Sequence, residues 1–325
     1  MTYPTLLRVP VYLLAVIALA GLGLGGMLAA PLRRPPALAS IHAGAVKIDQ
    51  TGKPPLTRFQ ARDGTWLAYR LHESGGERVA ILVHGSSASS DEMNAVGKAL
   101  AADGVTAVAI DIRGHGASGE RGDIGYIGQI EDDLADLLDQ LRSSYPNARF
   151  ELVGHSLGGG FAARIAGTPV GRRFDRIILL APFLGAQAPT NQPDGGHWAM
   201  VDSPRILALV VLRRLGISLG QSLPVIAYAN NPGVAMRVTN VYSFRLLADY
   251  GPGYDWAATK ATIAAAAARI KLVAGADDEL MRAEAYAREL RPLGVDVTIL
   301  PGVDHMGVVY APAALHAIAA AAKGP

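Results

Sequence analysis

Apolar positions follow four regimes along the chain. In residues 9–32 no charge interrupts them (VPVYLLAVIALAGLGLGGMLAAPL), a run long enough as a helix to cross a hydrocarbon core of about 30 Å. Residues 35–55 are rich in proline, small and polar side chains and are expected to link that run to a folded domain. Residues 59–72 then alternate around Asp63-Gly64, which predicts a β-hairpin. Continuous apolar runs recur at 79–83, 105–110, 150–153, 177–180, 270–273 and 295–300, each beside Gly-containing turns and helical stretches. Runs without alternation suit strands buried on both faces, so the order predicts an α/β fold, a mainly parallel sheet flanked by helices. Ligands bind such sheets beyond the carboxyl ends of the strands.

The rhythm breaks across residues 185–268, where only 206–215 and 257–268 look helical and aromatic side chains gather. This insert is expected to be a helical cap, either a lid over the site or a packed subdomain. The expected organisation is a hydrophobic segment over 1–34, a linker over 35–55, and one folded domain over 56–325.

The first segment is either a retained anchor or a cleaved signal, the latter implying a secreted or periplasmic product. Ala37-Leu38-Ala39 offers a small-x-small cleavage site, but Arg33, Arg34, Pro35 and Pro36 separate it from the apolar run, which favours a single membrane anchor. Arg8 on one side nearly balances Arg33 and Arg34 on the other, so charge does not orient it.

Composition sharpens this picture. Half of the 325 residues are apolar and only 18% are charged, which excludes disorder as the dominant state. The absence of Cys excludes disulfides and thiolate-ligated metals. A net charge of +2 provides no clustered cation for nucleic acid. Residues 1–40 hold three Arg and no acid, so the remainder carries 27 basic against 28 acidic groups. The slight basicity and part of the positive mean hydropathy (+0.23) belong to the N-terminal segment.

The chemistry lies at the strand ends. Gly154-His155-Ser156-Leu157-Gly158 follows the run FELV and precedes a helical stretch, the G-x-S-x-G context of a nucleophile elbow. Glycines let backbone approach closely while the serine takes a strained conformation, so Ser156 is the expected nucleophile. A serine hydroxyl needs a base, and His305 follows the last strand in VTILPGVDHMG. His84 and His115 sit in glycine-containing backbone motifs, His155 should point away from Ser156, and His197 lies in the insert. His42, His72 and His316 lack a strand-end setting.

A carboxylate must hold the base's tautomer, and Asp277-Asp278-Glu279 follows the strand IKLV. Asp278 is preferred to Asp277, though neither spacing nor charge separates them. The oxyanion of an acyl-transfer intermediate needs N–H donors, expected from the backbone of Ser86, after His84-Gly85, and of Leu157. No metal or organic cofactor is expected.

With these residues placed, residues 59–323 resemble the α/β-hydrolase superfamily, in particular the lysophospholipase and monoacylglycerol-lipase-like, or serine aminopeptidase-like, hydrolases. The resemblance rests on His84-Gly85, on the D-x-R-G-H-G-x-S-G run from Asp111 to Gly119, and on the elbow. It implies a triad of Ser156, Asp278 and His305, oxyanion donors on Ser86 and Leu157, and carboxylic esters, including lipid-derived ones, as substrates. An acyltransferase, thioesterase or aminopeptidase would use the same triad. Where many monoacylglycerol lipases carry H-G-x-G-E, this chain reads His84-Gly85-Ser86-Ser87-Ala88.

Overall fold

A computed structural model describes residues 4–36, 41–193, 198–229 and 238–323. The small-x-small site at Ala37-Leu38-Ala39, and His197, lie outside these residues.

The charge-free run forms α1 (Pro4–Ala29), a 26-residue helix. Its Tyr12–Ala29 stretch is long and apolar enough to cross a membrane, and none of it is buried. Where a free linker was expected, a single turn, α2 (His42–Ala45), docks on the domain, and Ile41, Ala45 and Ile48 are buried. The physical reason is that this otherwise small and polar stretch spaces apolar side chains at 41, 45 and 48, one face of a helical turn.

The hairpin is present as β1 (Leu56–Gln60) and β2 (Trp66–His72), paired antiparallel. β3 (Arg78–Val83) follows, its residues Val79 to Val83 wholly shut from solvent, which is why the run does not alternate. α3 (Asn94–Ala102) leads to β4 (Val105–Ile110). α4 (Gln129–Ser144) starts with Glu131 and Asp132, ends with Arg142, and buries Ile130, Leu134, Leu137 and Leu141 on one face. Charges so placed complement the helix dipole, and the three-to-four spacing aligns the apolar side chains. β5 (Arg149–His155), α5 (Leu157–Ile165) and β6 (Arg176–Leu180) complete the first half.

The insert is not purely helical. It holds a three-stranded antiparallel sheet of β7 (Ala199–Val201), β8 (Pro224–Tyr228) and β9 (Val241–Ser243), with α6 (Ser203–Arg214) between the first two. Strands of three and five residues are too short to leave a readable periodicity. α6 begins where the Asp202 carboxylate accepts the Arg205 N–H. α7 (Phe244–Tyr250) and α8 (Trp256–Ala266) follow, and α8 packs on α5 in the body rather than on the insert's sheet. β10 (Ile270–Gly275), α9 (Ala283–Leu290), β11 (Asp296–Leu300) and α10 (Pro312–Lys323) end the chain.

The main sheet runs β1-β2-β4-β3-β5-β6-β10-β11, parallel from β4 to β11, with β2 antiparallel to both neighbours. β4 and β5 lie on either side of β3, so the strand order reverses there. The carboxyl ends of β3 and β5 therefore flank the switch-point crevice where such sheets bind ligands.

One buried group outside that crevice gives a stability prediction. The ring of His72 lies so close to α3 that a Cβ on Gly97 would come within 2.5 Å of it, and its Nε2 has no hydrogen-bond partner. Burial, with smaller contributions from Lys98 and Arg70, pushes its pKa down to about 4. The unfolded chain takes up this proton near pH 6.5 and the folded chain only near 4, so stability is lost as pH falls between those values. The loss should amount to up to about 3 kcal/mol. Chemical denaturation of His72→Gln should show a shallower decline than the parent from pH 6.5 to 4; equal slopes would refute the assignment.

Candidate active site

Ser156 stands between β5 and α5 at φ 51°, ψ −115°, a conformation that non-glycine residues rarely hold. Three backbone hydrogen bonds fix it: its N–H donates to Leu180 (2.9 Å), and its carbonyl accepts from Gly160 (3.0 Å) and Phe183 (2.9 Å). The flanking glycines are required by contact. A Cβ on Gly154 would lie 2.3 Å from the Gly158 carbonyl, and one on Gly158 would lie 2.4 Å from that of His84.

The loop after β11 brings His305 over this turn, with Nε2 3.1 Å from Ser156 Oγ. On the other side of the ring, Nδ1 lies 2.9 and 3.1 Å from the two oxygens of Asp278. The Nδ1 proton therefore faces the carboxylate, leaving Nε2 to accept the serine proton. Asp278 is buried and held in place, since its Oδ1 also accepts the N–H groups of Leu280 (2.9 Å) and Met281 (2.8 Å). Burial by itself would push the His305 pKa down, but the Asp278 charge and hydrogen bond outweigh it, and the net displacement is upward.

The three acids after β10 do different things. Asp277 is exposed, while Glu279 accepts the backbone N–H of His305 at 3.0 Å. The structure brings Ser156, His305 and Asp278 together and leaves Asp277 out.

The N–H groups of Ser86 and Leu157 have no acceptor among the described residues; Leu157 follows the serine as the first residue of α5, and Ser86 lines the same cleft as Ser156. A helix N-terminus directs such free donors, with positive potential, toward developing negative charge. The Ser86 loop is held from below and above. From below, the buried Glu92 accepts the Gly85 N–H (2.5 Å) and pairs with His155 Nδ1 (2.7 Å). Burial would raise the Glu92 pKa, but its pairing with His155 outweighs burial, and the net displacement is downward. From above, Tyr242 OH accepts the Ser87 N–H (2.7 Å) and donates to His115 Nε2 (2.7 Å), while Trp198 Nε1 donates to Ser86 Oγ (2.9 Å). Ser87 is itself at φ 67°.

Glu92 carries no sequence signal, and Trp198 and Tyr242 appear in the sequence only as aromatics of the insert. His155 leaves Ser156 as expected, yet its ring centroid lies 5.0 Å from that of His305. The run from Asp111 to Gly119 is structural: Asp111 accepts the Ser90 (2.7 Å) and Ala117 (2.8 Å) N–H groups, and Ser118 Oγ accepts that of Ala68 (2.9 Å).

The cleft over Ser156 is small, about 50 Å³, and mostly apolar, with Ile41, Ala45, Ala88, Val238, Leu280 and Met306 among its lining residues. Glu92 is the one acid among the described residues that line it, and both its oxygens are engaged.

Comparison with known proteins gives a family and a fold. The profile of the serine aminopeptidase, S33, family matches residues 76–306. An uncharacterized protein of Mycobacterium tuberculosis is 34% identical over 128 residues, which are 39% of this chain and 35% of that protein. The non-heme chloroperoxidase CPO-A1 of Kitasatospora aureofaciens is 32% identical over 135 residues, 41% of this chain and 47% of that protein. The chain thus spans between a third and a half of the length of these curated relatives. Among solved structures, a soluble variant of monoglyceride lipase from Saccharomyces cerevisiae, in complex with a substrate analog, superposes with a TM-score of 0.63. That match has 14% identity and covers 85% of this chain and 97% of the lipase.

Proposed function

The chain belongs to the serine aminopeptidase, S33, family of hydrolases, with an α/β-hydrolase fold of the esterase and lipase type, and from this we propose that it cleaves carboxylic esters through a covalent acyl-enzyme on Ser156. The observation that carries the proposal is the 3.1 Å approach of Ser156 Oγ to a histidine whose opposite nitrogen is held by a buried aspartate. His305 takes the Ser156 proton as Oγ attacks the ester carbonyl, and Asp278 stabilises the imidazolium. The Ser86 and Leu157 N–H groups receive the oxyanion. His305 then protonates the departing alcohol. Water, deprotonated by the same histidine, releases the acid and restores Ser156.

Lipid-derived esters, such as lysophospholipid or monoacylglycerol, are the substrate class that the apolar cleft and the N-terminal helix favour. A free N-terminal amine, as an aminopeptidase would bind, finds no uncommitted carboxylate among the described residues lining the cleft. Acyl transfer and thioester cleavage would use the same groups. Fluorophosphonate labelling, with turnover of nitrophenyl esters, acyl thioesters and aminoacyl amides, tests the proposal. Labelling with ester turnover is expected; turnover of amides alone would overturn it.

α1 is proposed to be retained as an anchor. Its Leu28 packs with Leu209, Val225 and Phe244 of the insert, and the Arg205 guanidinium donates to the Ala30 carbonyl. Cleavage near residue 39 would strip these partners from the folded domain. The full-length mass should be found in the carbonate-washed membrane fraction by intact mass spectrometry; a soluble chain beginning near residue 40 would sink the idea.

A further inference from the structure

The stretch leading from α1 to the sheet does more than connect. Ile41 and Ala45 are 5% and 6% exposed and line the same cleft as Ser156 and His305. Between them Gly44 lies so close to Met306, the residue after His305, that a Cβ there would approach Met306 Cβ to 2.7 Å.

The following residues are pinned to the body of the domain. Asn94 Nδ2, from the buried start of α3, donates to the carbonyls of Asp49 (2.9 Å) and Thr51 (3.1 Å). Gln50 Nε2 donates to the Asp91 carbonyl (3.2 Å), and the Arg70 guanidinium donates to that of Pro54. Buried or partly buried hydrogen bonds of this kind hold a segment in place better than exposed ion pairs do. The segment is therefore a fixed wall, hung on α3 and β2.

Resting on the serine-esterase reading above, we infer that Ile41 and Ala45 are specificity-determining residues that form the acyl-chain wall of the cleft. The apolar lining open to an acyl chain at Ser156 includes Trp198 and Val238 of the insert, Leu280 and Met306 beside the histidine loop, and this wall. A pocket that differs by a methylene or more discriminates acyl chains by roughly 10- to 200-fold in kcat/KM. Changing the size of the two side chains should therefore move chain-length preference in opposite directions.

The test uses the full chain in detergent micelles, with active sites counted by fluorophosphonate titration. The measured quantity is the kcat/KM ratio of nitrophenyl decanoate to nitrophenyl butyrate, which a misfolded fraction does not alter. Ala45→Phe, which fills the wall, should lower this ratio at least about tenfold, and Ile41→Ala, which opens it, should raise it at least about tenfold. A ratio within threefold of the parent in both variants, or a shift in the same direction in both, overturns the wall while leaving the esterase reading intact. A parent that fails to label or to turn over esters overturns the esterase reading, and the wall with it.

Discussion

Ser156→Ala is expected to lower kcat on nitrophenyl esters by about 10⁵- to 10⁶-fold and to abolish fluorophosphonate labelling. The loss is large because nucleophile and base act as one unit: without Oγ there is nothing for His305 to deprotonate and no acyl-enzyme to divide the reaction. A remnant above the uncatalysed rate should survive, since the oxyanion donors are backbone N–H groups of Ser86 and Leu157 and remain after the substitution. Alanine keeps the Cβ, and the hydrogen bonds to Leu180, Gly160 and Phe183 use only backbone atoms, so the elbow should persist. Burst-phase kinetics and labelling, with near-UV circular dichroism as the fold control, measure this. Turnover within tenfold of the parent by a folded Ser156→Ala protein would end the proposal that Ser156 is the nucleophile.

Asp278→Asn should lower kcat by about 10⁴-fold, whereas Asp277→Asn should change it less than about threefold. An asparagine amide that donates to Nδ1 leaves the ring proton on Nε2, where it blocks acceptance of the serine proton. The pH profile adds a second, signed observable. The base works when neutral, so kcat/KM of the parent should rise with pH through an inflection above the ordinary imidazole value of 6.5, because Asp278 outweighs burial. In Asp278→Asn the raising charge is gone and burial remains, so the inflection of the residual activity should fall. An unchanged inflection, or a larger loss from Asp277→Asn, would reassign the acid.

The sheet was legible where the chemistry of burial is local. The runs at 79–83, 105–110, 150–153, 177–180, 270–273 and 295–300 each fall within or overlap an observed strand; two-sided burial accounts for the first five, whereas β11, at the sheet edge, is partly exposed. Within the insert the helical stretches at 206–215 and 257–268 were legible and correspond to α6 and α8, but its sheet was not, since β7 and β9 have three residues each and pair through backbone groups that every side chain allows. The linker was misread for a related reason. Ile41, Ala45 and Ile48 are too few to stand out among prolines and polar residues, yet they fill one surface of the folded domain.

The same division runs through the site. By itself the sequence determined a strained serine between glycines at a strand end and a histidine after the last strand, because both depend on neighbours a few residues away. Only the tertiary structure separates Asp278, which faces His305, from the exposed Asp277, since two adjacent loop carboxylates differ in where they point rather than in what they are. It also shows that Glu92, Tyr242 and Trp198 brace the Ser86 loop and that Ile41 lines the cleft. These contacts join residues far apart in the chain, whose pairing leaves no periodicity and exists only once the backbone has brought them within hydrogen-bonding or van der Waals distance.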